Sequence, residues 1–68
     1  MARTWIEALV ALNEDIVACE RRFHRQCMLV ADLAEHGELA AADEMLLASY
    51  MTCLVLLRAH RDDLLAHA

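Results

Sequence analysis

The sequence predicts an all-α fold, an antiparallel hairpin of two long helices. Apolar residues recur every three or four positions along most of the chain, there is no proline, and the only glycine is Gly37. This periodicity is typical of a helix with one face packed on a partner, and a lone glycine marks where a helix can end. We expect a single domain over residues 1–68, with helices near residues 4–36 and 39–66 and a turn at Gly37.

The first helix begins with a capping-box pattern, Thr4-Trp5-Ile6-Glu7. In such a box the hydroxyl and the carboxylate each satisfy a free backbone N–H group. The main apolar stripe contains Trp5, Leu9, Leu12, Ile16, Cys19, Phe23, Cys27, Val30 and Ala34. A second, weaker stripe contains Ile6, Val10, Val17 and Met28. We expect it to widen this face. The helix should end near Glu35 or His36, because Gly37 can adopt the left-handed conformation without strain.

The second helix has a weaker start signal and a broader apolar surface. Glu38 and Leu39 are poor caps, but Asp43 and Glu44 suit the positive end of the helix dipole. One apolar seam would contain Leu39, Ala42, Leu46, Ser49, Cys53, Leu56 and His60. A neighbouring seam would contain Leu47, Tyr50, Leu54, Leu57, Arg61 and Leu64. Residues 45–57 carry no charge, so almost the whole circumference is apolar there.

This apolar excess predicts association with a second chain. Apolar residues make up 60% of the 68 residues, against about 45–50% in an ordinary domain. A chain this short is hard to stabilise alone, and one neighbouring helix covers only one face. We therefore expect a homodimeric four-helix bundle, or the same surface docked on a different protein. Methionine and aromatic side chains are common at such contacts, and the residues we expect at the interface are Leu47, Tyr50, Met51, Leu54 and Met28.

The charge and the uncharged stretch narrow the class of partner. The net charge of -5 argues against nucleic acid or an anionic membrane, since both favour basic proteins. The basic cluster at residues 21–25 either contacts an acidic partner or is a solvated face, and we favour the solvated face. Residues 45–57 are too few to cross a bilayer, which takes about 20 residues. The first residues lack the features of a signal peptide, so we expect a cytoplasmic protein.

A chain reversal at the predicted turn also sets which residues face each other. Arg58 and Arg61 are expected opposite the region of Glu14 and Asp15, and Cys19 and Cys53 are expected in one layer. Three cysteines form an odd set, and without a secretion signal the first interpretation is reduced thiols that act as small apolar side chains.

Few residues suggest chemistry. His24 and Cys27 stand three positions apart, which lets two side chains share a metal, and Cys53 could add a donor from the second helix. We favour the alternative, in which the two cysteines fill the core and His24 is solvated, because no Cys-x-x-Cys motif is present. We expect no cofactor and no enzyme activity, since two helices enclose almost no pocket.

Several segments resemble a family of small, uncharacterised alphaproteobacterial proteins. The matching segments are residues 8–13, 20–22, 25–26, 48–50 and 56–62, the last ending in Arg58-Ala59-His60-Arg61-Asp62. The resemblance implies a helix, a glycine turn and a second helix, and it implies no activity. The family pattern places charge near positions 27, 28 and 51–53, where this chain is uncharged. Drift toward tighter self-association or selection for a new binding surface would each explain this difference.

We therefore expect a non-catalytic protein-interaction or regulatory module that acts through an apolar helical face. The alternative is a small metal-binding or thiol-redox-responsive bundle that uses its Cys, His and Met side chains.

Overall fold

A computed structural model describes residues 4–67 of the chain and confirms the all-α hairpin. Helix α1 spans Trp5–Glu35 and helix α2 spans Ala41–Ala66, and the two pack antiparallel along their length. Both helices begin later than expected, α1 by one residue and α2 by two. The later start of α2 arises because residues 38–40 are needed to leave the turn and to place Ala40 in the extended conformation of a helix cap.

The turn is a Schellman motif centred on Gly37. Gly37 has a φ of 67°, and its N–H donates to the carbonyl of Ala34 at 3.2 Å. The N–H of Glu38 donates to the carbonyl of Leu33 at 2.8 Å. These two hydrogen bonds satisfy carbonyls that the last turn of α1 would otherwise leave without a partner. The prediction that α1 ends at this glycine is confirmed.

Each helix start makes one half of a capping box. The Thr4 hydroxyl accepts a hydrogen bond from the Glu7 N–H at 3.1 Å, as the sequence predicted. At the start of α2 the Asp43 carboxylate accepts from the Ala40 N–H at 3.3 Å. Alanine has no side-chain acceptor, so the reciprocal hydrogen bond cannot form at this second helix.

The core of the hairpin is small and lies at mid-length. Its buried apolar side chains are Leu12, Ile16, Cys19 and Leu54, and those packed against them are Phe23, Tyr50, Leu57 and Leu64. The main stripe of α1 therefore contacts α2 as predicted. Of the two predicted seams of α2, the one containing Leu54 packs on α1, whereas Leu46, Cys53 and Leu56 of the other remain exposed.

The second stripe of α1 does not widen the core. Ile6, Val10, Val17 and Met28 are all exposed, with Ile6 at 66%. At 100° per residue these positions turn away from the main stripe, and a single neighbouring helix covers only a narrow arc. The expectation that this stripe would widen the packed face of α1 is not met within the hairpin.

Side-chain hydrogen bonds join the helices near both ends. The indole N–H of Trp5 donates to the carbonyl of Leu64 at 2.8 Å. Near the turn, the buried Gln26 amide donates to the carbonyl of Asp43 at 3.0 Å. Both acceptors are backbone groups, so these hydrogen bonds fix how far one helix is shifted along the other.

The predicted position of Arg58 needs correction. Its guanidinium pairs with Glu20 at 3.3 Å, not with Glu14 or Asp15. Arg58 lies on the edge of the hairpin that Glu20 and His24 line, and the other two acids point elsewhere into solvent. About half of each side chain in the pair is exposed, so we expect it to contribute less than about 1 kcal/mol.

Candidate interaction surface

The residues predicted to form the interface divide between the hairpin core and the surface. Leu54 is only 4% exposed, and Leu47 and Tyr50 are half-buried within the hairpin. These three side chains point toward α1, so Leu54 cannot be the centre of a contact with a second chain. Met51 and Met28 are exposed, at 52% and 62%, but they lie on different helices.

The surface of α2 that faces away from α1 is apolar and open. We call it the α2 outer face and define it by Met45, Ala48, Thr52, Val55, Leu56 and Ala59, all of which are exposed. Met45 is 70% exposed and Leu56 is 64% exposed. The six positions follow helical spacing over four turns and carry no charge. A contiguous apolar surface of this kind is typical of a protein interaction site.

The sequence pattern contained the signal for this surface, whereas Tyr50 and Leu54 of the predicted interface lie on the side of α2 that packs on α1. Residues 45–57 are uncharged around the whole helix, and periodicity cannot tell which side packs on α1. The structure resolves this ambiguity, because Leu54 packs against Ile16 and Cys19 in the core. Leu56 and Met45 are therefore on the open side.

The exposed side of α1 has a different character. One shallow depression is lined by Val10, Val17 and Arg21. The next depression along the helix is lined by Val17, Arg21, His24 and Arg25. Basic and apolar side chains alternate here, and the depressions are open to solvent. This surface lacks the uninterrupted apolar character of the α2 outer face.

The three candidate metal ligands are not brought together. His24 is exposed on the edge lined by Glu20 and Arg58, and Cys27 is half-buried on α1. Cys53 is exposed and contacts Cys19 instead. Within residues 4–67, no three or more His, Cys, Asp or Glu side chains are placed to hold a metal ion. The candidate ligands His24, Cys27 and Cys53 therefore do not form such a group among the described residues.

Cys19 and Cys53 do lie in one layer, as the chain reversal predicted. The Cys19 thiol donates to the Tyr50 carbonyl oxygen at 3.8 Å, one turn before Cys53 on α2. Burial raises the pKa of the Cys19 thiol above its usual value, the neighbouring Cys53 raises it further, and Arg22 opposes both effects. Cys19 is buried, Cys27 is half-buried and Cys53 is exposed, so the expectation that Cys27 and Cys53 fill the core is not met for Cys53.

Neither helix, over the part of the chain that the structure describes, is both long and apolar enough to cross a membrane. No protein-family model, curated protein or solved structure matches this chain. The resemblance to alphaproteobacterial hairpin proteins therefore stays a prediction, and any function must be argued from the surface itself.

Proposed function

We propose that this chain is a non-catalytic interaction module that self-associates, two hairpins forming a four-helix bundle through the α2 outer face. The observation that carries the proposal is the exposure of this face, an uncharged surface four turns long with Met45 and Leu56 largely open to solvent. Burying apolar side chains of this size contributes about 1.5–3 kcal/mol each.

The total surface area supports an additional contact. The accessible surface of the chain is 5193 Å², whereas a folded monomer of 7.7 kDa is expected to expose about 4,300 Å². The difference of roughly 900 Å² is close to the area that each partner buries in a standard interface, about 800 Å². The radius of gyration, 15.6 Å, also exceeds the roughly 11 Å of a compact chain of this length. A second hairpin of the same kind would cover the excess surface area, whereas the large radius of gyration follows from the 50 Å length of the hairpin.

The order of side chains along the α2 outer face fits a second copy of itself. An antiparallel α2 helix related by a two-fold axis at Thr52 places Met45 against the partner's Ala59 and Leu56 against the partner's Ala48. Each large side chain then meets a small one, which is the arrangement that lets helix surfaces interdigitate. Two-fold symmetry requires this kind of self-complementary surface.

The charges at the ends of the α2 outer face are compatible with the same pairing. Glu44 directly precedes the uncharged stretch and Arg58 directly follows it, with Asp62 one turn beyond Arg58. With the axis at Thr52, Glu44 faces the partner's His60 and Asp62 faces the partner's Ala42. Neither acid meets another acid, so the antiparallel pair avoids like-charge repulsion.

A charge placed on the α2 outer face tests the proposal. Leu56→Glu should dissociate the dimer, with binding weakened by roughly 100-fold or more, because an unpaired carboxylate would be buried at the interface. Leu56 is not part of the hairpin core, so the variant should keep its helices. Sedimentation equilibrium at micromolar protein gives the mass, and circular dichroism gives the helix content.

Met28→Glu is the matched control, since Met28 is exposed to nearly the same degree on α1. It should remain dimeric. If Met28→Glu dissociates the dimer while Leu56→Glu does not, the contact lies on α1 and the proposed surface is wrong. A wild-type chain that is monomeric at these concentrations would contradict self-association and would point to a different protein as the partner of this face.

A further inference from the structure

Two thiols on different helices meet at the middle of the hairpin. The thiol of Cys19 on α1 donates to the carbonyl oxygen of Tyr50 on α2 at 3.8 Å, one turn before Cys53, and Cys53 is close enough to raise the pKa of the Cys19 thiol. The third cysteine, Cys27, lies two turns further along α1. Cysteine is small enough to let helices approach closely, which the short Cα separation of a disulfide requires.

The two thiols differ in access to solvent. Cys53 is exposed, whereas Cys19 is buried in the core with Leu12, Ile16 and Leu54. A dissolved reagent can therefore reach the sulfur of Cys53 first. Burial also raises the pKa of the Cys19 thiol, which lowers the fraction of Cys19 that is present as the reactive thiolate.

We propose that Cys19 and Cys53 form a reversible disulfide between the helices when the chain meets a low-molecular-weight disulfide. The Cys53 thiolate attacks one sulfur of the reagent, which breaks its S–S bond, forms a mixed disulfide and releases one thiolate. The sulfur of Cys19 then attacks the Cys53 sulfur, and the thiolate that leaves takes up the proton that Cys19 gives up, which releases the second small thiol. The two protein thiols are oxidised by two electrons, and the reagent is reduced to two thiols.

The disulfide would stabilise the hairpin. It would join α1 and α2 at the level of the core, where four apolar side chains are buried within the described residues. A cross-link between distant positions limits the freedom of the unfolded chain, so oxidation should raise the melting temperature by roughly 10 °C. Cys53 is not one of the residues of the α2 outer face, so this inference does not depend on self-association.

The experiment uses reduced protein and oxidised glutathione, with intact mass spectrometry, peptide mapping and non-reducing electrophoresis. Wild type and Cys27→Ser should each lose about 2 Da per chain through two lost hydrogens, migrate as single chains and yield a peptide linking Cys19 to Cys53. Cys53→Ser should form no such link while keeping the helix content of wild type. The same oxidation of wild type in denaturant should give all three pairings of the cysteines, which would show that the fold selects one.

Three results would overturn the proposal. The first is a disulfide that involves Cys27 in the folded wild type, and the second is a Cys53–Cys53 link between chains. The third is a glutathione adduct on Cys53 that persists with Cys19 still reduced. Each of these would mean that the contact between the two thiols does not direct the chemistry.

Discussion

At the scale of single residues, the reversal of the chain depends on the backbone of Gly37. Its φ of 67° lies in the left-handed region, and a Cβ atom added there would have no neighbouring atom within 4 Å. The preference for glycine therefore comes from the backbone alone and not from crowding. Gly37→Ala should lower the free energy of unfolding by about 1–2 kcal/mol, the strain of a non-glycine residue in this region.

Urea unfolding at a fixed protein concentration measures this effect, because any association adds to the apparent stability. Gly37→Asn is the matched variant, since asparagine tolerates the left-handed conformation better than alanine. It should lose less stability than Gly37→Ala. Equal stability of wild type and Gly37→Ala, or a larger loss for Asn than for Ala, would contradict this account of the turn.

Gln26 shows the limit of residue-level prediction. Its amide is buried and donates to the Asp43 carbonyl, yet we did not predict this role because polar residues are usually exposed. One signal was available. Gln26 lies three positions after Phe23 and four before Val30, so it occupies a place in the main apolar stripe of α1.

At the scale of the helices, the side of a helix that packs on its neighbour could be predicted where charged residues border the apolar stripe. The main stripe of α1 is bordered by charged residues such as Glu20 and Arg22, and its packing on α2 was predicted correctly. Residues 45–57 of α2 offer no such border. Periodicity indicated a helix there, but it did not distinguish Leu54, which is buried, from Leu56, which is exposed.

The start of α2 is the weaker of the two helix starts and can be improved. Ala40 lies at the cap position and has no side-chain acceptor, although Asp43 already accepts a hydrogen bond from its N–H. Ala40→Ser supplies the missing acceptor and should raise the free energy of unfolding by about 1 kcal/mol. Urea unfolding at fixed protein concentration is again the measurement.

Ala31→Ser is the control for this change, because Ala31 is exposed inside α1, where serine has no free N–H group to cap. It should lower the stability by about 0.5 kcal/mol, the difference in helix propensity. A loss of stability in Ala40→Ser, or the same change in both variants, would mean that α2 does not begin at the cap described here.

At the scale of the whole molecule, the chain is a rod of 50 × 18 × 15 Å with a core one layer thick. Such a shape leaves large apolar side chains in water on both helices, including Met45 and Leu56 of α2 and Ile6 of α1. The uncharged character of the α2 outer face and its large-to-small order about Thr52 make this side the better candidate for a symmetric contact. In the proposed dimer, two copies meet at the α2 outer face.

Cross-linking at the proposed two-fold axis tests whether two copies meet at the α2 outer face. Thr52→Cys is introduced with the native cysteines replaced by Cys19→Ala, Cys27→Ser and Cys53→Ser, and helix content is checked by circular dichroism. Only residues near a two-fold axis lie close to their own copies, so Thr52→Cys should give a covalent dimer rapidly under mild oxidation. Asn13→Cys, exposed on α1, should do so slowly. If the Thr52→Cys variant forms the covalent dimer no faster than the Asn13→Cys variant, two copies do not meet at the α2 outer face.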